Sequence, residues 1–137
     1  MNLPPGWQQF DPPAGLVLLA YAPRTGTFTS NLTATAEPNG DLGFRDWQVG
    51  VDMAFTQVLP GYTPIDLEQL TIEGRRGGRR LAIYDGPEGV PLAMEQWFVD
   101  IDGIGHTLTA TVHISEYAQW ADALVATATA WKPSEAP

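Results

Sequence analysis

Hydrophobic and polar positions change their period several times along this chain, and each change marks a predicted element. Leu16, Val17, Leu18, Leu19, Ala20 and Tyr21 form a continuous apolar run within Gly15 to Ala22, which predicts a strand covered on both faces. After a turn at Pro23-Arg24-Thr25-Gly26 the period becomes two. Leu32, Ala34 and Ala36 fall on one side of Thr29 to Glu37, and Asn31, Thr33 and Thr35 on the other, as in a strand with one face on a core. Pro38-Asn39-Gly40 breaks that strand. Beyond Asp41, a candidate cap, Phe44, Trp47, Val51, Ala54, Phe55 and Val58 repeat every 3.6 residues and predict a helix that Pro60-Gly61 stops. Gly50 costs such a helix about 1 kcal/mol relative to alanine, so a close contact is expected there.

From Ile65 onward the pattern returns to strands. Leu67 to Gly74, Arg79 to Asp85, Val90 to Asp102 and Gly105 to Ile114 read as an antiparallel meander with short glycine turns, Gly77-Gly78 forming one of them. The longest strand changes its apolar parity between Met94 and Trp97, which requires burial of both faces or a bulge near Glu95-Gln96. Ser115 then caps a helix, Glu116 to Trp131, whose Tyr117, Trp120, Leu124, Ala128 and Trp131 form an apolar stripe. Lys132-Pro133 ends it. Residues 1–14 form an extended, Pro-rich lead-in and 133–137 a frayed tail, so 1–137 reads as a single domain. The element order predicts an α+β fold, an α/β/α sandwich with a central, mainly antiparallel sheet of about six to seven strands and a C-terminal helix.

Composition narrows the chemistry. The 137 residues contain no cysteine, which removes disulfides, thiolate catalysis and the usual zinc sites together. Sixteen acids against seven bases leave a net charge of −9, which opposes binding to nucleic acid or anionic membranes. No segment approaches the ~18 apolar residues of a membrane span. The opening Met1-Asn2-Leu3-Pro4-Pro5-Gly6-Trp7 lacks the character of a leader, which predicts a cytoplasmic protein as the sequence stands, and an envelope-associated or secreted one if a leader precedes it.

Few side chains are spaced for catalysis. His106 and His113 lie on opposite faces of one predicted strand, because their separation is odd, so they are not expected to share a metal. Asp100 and Asp102 beside the Gly103 turn read as ordinary solvated acids. No nucleophile is placed with a base, and no phosphate-binding loop precedes a helix. No catalytic residue, cofactor or metal is therefore expected.

Two groups carry the polar and aromatic signal. Arg75, Arg76, Arg79 and Arg80 gather four of the seven basic residues around one predicted hairpin tip. They form either a solvated tip that discourages edge pairing or a docking point for an acidic partner or phosphate. Five tryptophans raise the question of a pocket. Trp47, Trp120 and Trp131 sit on helix stripes facing the sheet, whereas Trp7 and Trp97 are free to rim a cavity between helix and sheet.

Pro5-Gly6-Trp7 near the start, the strand ending at Tyr21, Phe28-Thr29-Ser30-Asn31-Leu32-Thr33 opening the next strand, and Tyr117 with Trp120 in the closing helix together resemble a family. The chain resembles the PsbP-like α/β/α sandwich superfamily and, within it, the actinobacterial LpqN-type proteins, over nearly its whole length. That resemblance implies non-enzymatic roles, since members serve as photosystem assembly subunits, partners of a nuclear transport GTPase, secretion chaperones and mycobacterial lipoproteins. It carries over no catalytic residue, and the absence of a lipid-bearing cysteine departs from the lipoprotein members. The expected function is a non-enzymatic protein-interaction or chaperone-like module whose partner is another protein. The alternative is a small-ligand-binding protein or enzyme of helix-grip type, with a cavity between the sheet and the C-terminal helix. Oligomeric state is not encoded in these patterns.

Overall fold

The computed structural model describes residues 1–24 and 26–135. The predicted turn at 23–26 includes Thr25, and the predicted tail includes residues 136 and 137, which lie outside the described residues.

Seven strands form one antiparallel sheet: β1 (Gln8–Phe10), β2 (Leu18–Tyr21), β3 (Asn31–Pro38), β4 (Thr63–Ile72), β5 (Arg75–Asp85), β6 (Pro91–Ile101) and β7 (Ile104–His113). Their spatial order is β1-β2-β3-β7-β6-β5-β4, so β4 to β7 are the expected meander and β3 closes against its last strand. Helix α1 (Phe44–Val58) crosses from β3 to β4, and α2 (Tyr117–Ala130) follows β7. They lie on opposite faces of the sheet. Arg80 reaches Gln48 of α1, whereas its neighbour Arg79 reaches Tyr117 of α2, and adjacent strand residues point to opposite sides. The architecture is the predicted α/β/α sandwich.

The α2 face carries the main core. Leu18, Ala20, Leu32, Ala34, Ala93, Trp97, Val99, Leu108, Ala110 and Val112 are buried there beneath Leu124, Ala128 and Trp131. The period-two pattern of β3 and β7 survives intact, because only one side of each can reach this core. On the other face α1 lays Phe44 and Trp47 against Phe98, with ring centroids 5.8 and 6.3 Å away. Trp47 fits only because position 105 is glycine: a Cβ there would come 2.6 Å from its ring.

Several predicted details are corrected. β2 is short and covered on one face only, Leu18 and Ala20 being buried while Tyr21 is exposed, because α1 packs over β5 and β6 instead. The doubly buried strand is β6, whose register runs unbroken through Glu95-Gln96 against both neighbours. The bulge sits in β4, where pairing jumps from Pro64 to Asp66 and leaves Ile65 out. Helix α1 starts after Gly43 with no side-chain cap, so Asp41 does not cap it, and Ala54 and Val58 face solvent. A Cβ at Gly50 would meet open space, so the close contact expected there is absent. At the other junction a short 3-10 turn, Ile114–Glu116, precedes α2: His113 caps that turn, its Nδ1 accepting from the Ser115 backbone N–H at 3.1 Å, and α2 itself starts after Glu116 with no side-chain cap, so Ser115 does not cap it.

Candidate functional site

The arginine hairpin is built differently from its prediction. Glu73 and Gly74, both with positive φ, form the two-residue turn between β4 and β5, a conformation that glycine adopts without steric penalty. Gly77 and Gly78 lie inside β5, and a Cβ at Gly78 would strike the Phe98 ring at 2.6 Å. Moving the turn back by four residues draws all four arginines into the strand, where the pleat sends them alternately to the two faces.

Arg79 goes to the α2 face. Its Nε donates to Glu95 Oε2 at 2.6 Å, and Nη1 donates to Asp66 at 2.9 Å and Glu68 at 3.2 Å. The Tyr117 hydroxyl donates to the same Glu95 oxygen at 3.1 Å. Glu95 is 1% exposed, and its second oxygen, Oε1, is buried with no hydrogen-bond partner. Burial raises the pKa of Glu95 against the pull of Arg79. Burial likewise raises that of Tyr117, which sits beside the Glu95 carboxylate. For Arg79, burial opposes the charge, yet the bond to Glu95 holds its pKa above the ordinary value.

These groups belong to a cleft of about 530 Å³ between α2 and β4 to β6, lined also by Trp97, Leu70, Val125 and Trp131. Of the two tryptophans proposed as a rim, Trp97 is buried and lines this cleft, while Trp7 is buried edge-on against Trp120, 5.3 Å between centroids.

Arg80 goes to the α1 face and is 3% exposed. It donates from Nη1 to Gln96 Oε1 at 3.0 Å and from Nη2 to Gln48 Oε1 at 2.9 Å, and stacks over Phe98 and Phe55 at 5.0 and 5.8 Å. Gln96 passes the chain on, donating to Thr109 Oγ1 at 3.0 Å. Burial lowers the pKa of Arg80, opposed by Tyr62 and Asp52. Burial and a 2.7 Å bond to Asp52 push the Tyr62 phenol up to about 12. Arg79 and Arg80 are thus committed inside the fold, while Arg75 and Arg76 remain exposed, Arg76 lying 5.1 Å over the Phe44 ring.

A second groove, of about 390 Å³, runs between α1 and β4. Phe44, Val49, Leu67 and Phe98 give it apolar walls, and Arg45 and Arg76 border it. Leu67 is 68% exposed, and Met53 and Ile65 nearby in sequence are more than half exposed. β4 is the last strand in the sheet, so its outer edge pairs with no strand.

The histidines are separated as expected. His106 pairs opposite Val99 on the α2 face, where burial lowers its pKa, and His113 pairs opposite Leu92 on the other. Asp100 accepts from the Gly103 backbone at 3.0 Å and from the Asn39 side chain, which fixes the β6–β7 turn. Among the described residues no three His, Asp or Glu side chains converge as metal ligands, and no helix is long and apolar enough to cross a membrane.

Sequence reasoning passed over Glu95, Tyr117, Val49 and Leu67. Glu95 had a signal: it is the one charged residue in Pro91 to Val99, a strand apolar on both parities. Val49 and Leu67 had none, because an exposed apolar residue is common on any surface and becomes informative only beside another.

In sequence, the chain matches no protein-family model and no curated protein at a significant level. In structure it is similar to several solved proteins. A Pseudomonas aeruginosa protein of unknown function, described as a candidate regulator, superposes with a TM-score of 0.76 at 17% identity, over 84% of this chain and 81% of that one. PsbP (CyanoP) of the cyanobacterium Synechocystis gives 0.65 at 16% identity, over 91% of this chain and 79% of that one. LpqN of Mycobacterium tuberculosis, involved in cell envelope biogenesis, gives 0.64 at 15% identity, over 97% and 78%. The likeness is one of fold: this chain has the PsbP-like sandwich fold.

Proposed function

We propose that this protein is a non-enzymatic interaction module, chaperone-like in holding an extended apolar segment of another protein along the open edge of β4. One observation carries the reading: Leu67 stands 68% exposed on that edge, across the groove from Val49 of α1. An unpaired edge offers a row of backbone donors and acceptors, and an added strand can also place alternate side chains in an adjoining groove.

The two halves of β4 differ. Pro64 and the Ile65 bulge interrupt pairing in the first half, as edge-guarding devices do. From Leu67 to Ile72 the register is regular, and this half is the one available to a partner. A strand laid there would meet Leu67 and Val49 with every second side chain. In a chain of net charge −9, the two exposed arginines at this groove, Arg45 and Arg76, favour a segment that also carries a carboxylate.

The test places a photo-crosslinking residue at exposed position 49 of α1, across the groove from Leu67, and, as a remote control, at exposed position 118 of α2, in the native host. A partner captured from 49 and not from 118, and released by Leu67→Asp and by Arg45→Ser/Arg76→Ser with the fold intact by circular dichroism, supports the reading. A partner bound equally well by those variants removes it.

A further inference from the structure

The other face of the sheet carries an independent site. Glu95 is a carboxylate withdrawn almost wholly from water, and its Oε1 has no donor. A buried acceptor without a partner is destabilising, and Glu95 Oε1, unlike the equally unpartnered indole N–H of Trp7 packed against Trp120, belongs to a residue that lines a cleft, so its persistence calls for a group that completes it. Among the described residues the only basic side chain lining this cleft, Arg79, is already divided among Glu95, Asp66 and Glu68. Glu68, Glu73, Glu95 and Asp122 give the cleft a surplus of negative charge. Apart from the hydroxyls of Thr71, Thr129 and Tyr117, the rest of its lining is apolar, with the buried Trp97 indole presenting aromatic surface beside Glu95. Among the described residues no set of three ligands converges to make a metal site.

We propose that the cleft between α2 and β4 to β6 binds an organic cation, an ammonium group on a flat apolar body. The ammonium supplies the donor that Glu95 Oε1 lacks, displacing the Tyr117 hydroxyl to reach it, and the body lies along Trp97. Such a ligand neutralises the acidic surplus, and a charge-assisted hydrogen bond to a carboxylate withdrawn from water is stronger than its exposed counterpart. The cleft is of the size that holds small ligands, at about 530 Å³.

The probes are 2-phenylethylamine, 2-phenylethanol and 3-phenylpropionate, which share an apolar body and differ in charge. Binding is read from the indole N–H resonance of Trp97, assigned with Trp97→Phe. The amine should shift that resonance saturably, with the alcohol and the carboxylate at least about tenfold weaker. Glu95→Gln keeps the side-chain shape and an acceptor for Arg79, and should remove the preference for the amine over the alcohol. Val125→Trp fills the cleft from an exposed helix position and should weaken every probe, so the proposal stays testable should Glu95→Gln misfold. Leu67→Asp, which disables the β4 groove, should leave amine binding unchanged, and this separates the two sites. No saturable shift with the amine, equal affinity for amine and alcohol, preference for the carboxylate, or an intact amine preference in Glu95→Gln overturns the proposal.

Discussion

Arg79 Nε donates to Glu95 Oε2 at 2.6 Å across β5 and β6, and this bond ties the floor of the α2 cleft to the acids of β4. The pair is buried on the Glu95 side and open on the side of Asp66 and Glu68. Removing the base should therefore matter more than removing the acid. Arg79→Ala leaves a carboxylate buried without its counter-charge and should lower unfolding free energy by about 3 kcal/mol, whereas Glu95→Gln should lose about 1 kcal/mol. Urea titration of the two variants decides the order; an equal or inverted loss contradicts the geometry.

Glu95 also sets a pH dependence. Its pKa is raised in the folded chain, so the folded state holds a proton that the unfolded state releases. That contribution is present in full below the ordinary carboxyl value of 4.5 and is lost as pH rises from there through the folded value. Arg79 and Tyr117, which face it, and nearby Glu68 shape the same titration. Glu73 and His106, both lowered, work in the opposite direction, so the comparison must be differential. Above pH 4.5 the stability of the parent should fall relative to Glu95→Gln, and parallel curves would contradict it.

Gly50 is a glycine in a helix interior with open space where its Cβ would lie. Gly50→Ala should stabilise the protein by about 0.5–1 kcal/mol, through reduced freedom of the unfolded chain and better helix propensity. A higher midpoint of thermal unfolding with an unchanged far-ultraviolet spectrum is the expected result.

Gly105 is the contrasting case. A Cβ there meets the Trp47 ring at 2.6 Å and Asn39 Oδ1 at 2.7 Å, both held by the packing of α1 and the β6–β7 turn. Gly105→Ala should destabilise by about 1–3 kcal/mol, with quenching of Trp47 fluorescence altered. Gly50 and Gly105 cannot be told apart by composition. Which glycine is helpful and which is required depends on what faces it.

Arg80 stacks between Phe98 and Phe55 while bonding Gln96 and Gln48, a combination that needs a planar fork. Arg80→Lys should cost about 1–2 kcal/mol, although the charge is kept. Chemical denaturation checks this, and a neutral result would show that charge alone matters at this position.

Local patterns determined much of this protein. The meander from β4 to β7, the single-faced β3, the closing helix and the separation of His106 from His113 all follow from side-chain period, which depends only on backbone geometry. Burial of β2 on both faces was misread, because an apolar run shows that a strand suits a core but not which helix covers it. The arginines show the same division. Their identity and clustering are linear facts, but a turn at Glu73-Gly74 rather than Gly77-Gly78 redirects each of them, and only pairing across the sheet settles that register. Glu95 and Arg79 stand sixteen residues apart, and Val49 and Leu67 eighteen. The amino-acid sequence determined the elements and their alternation; the cleft and the groove arose only when strand order and helix placement brought distant, individually unremarked side chains to opposite walls.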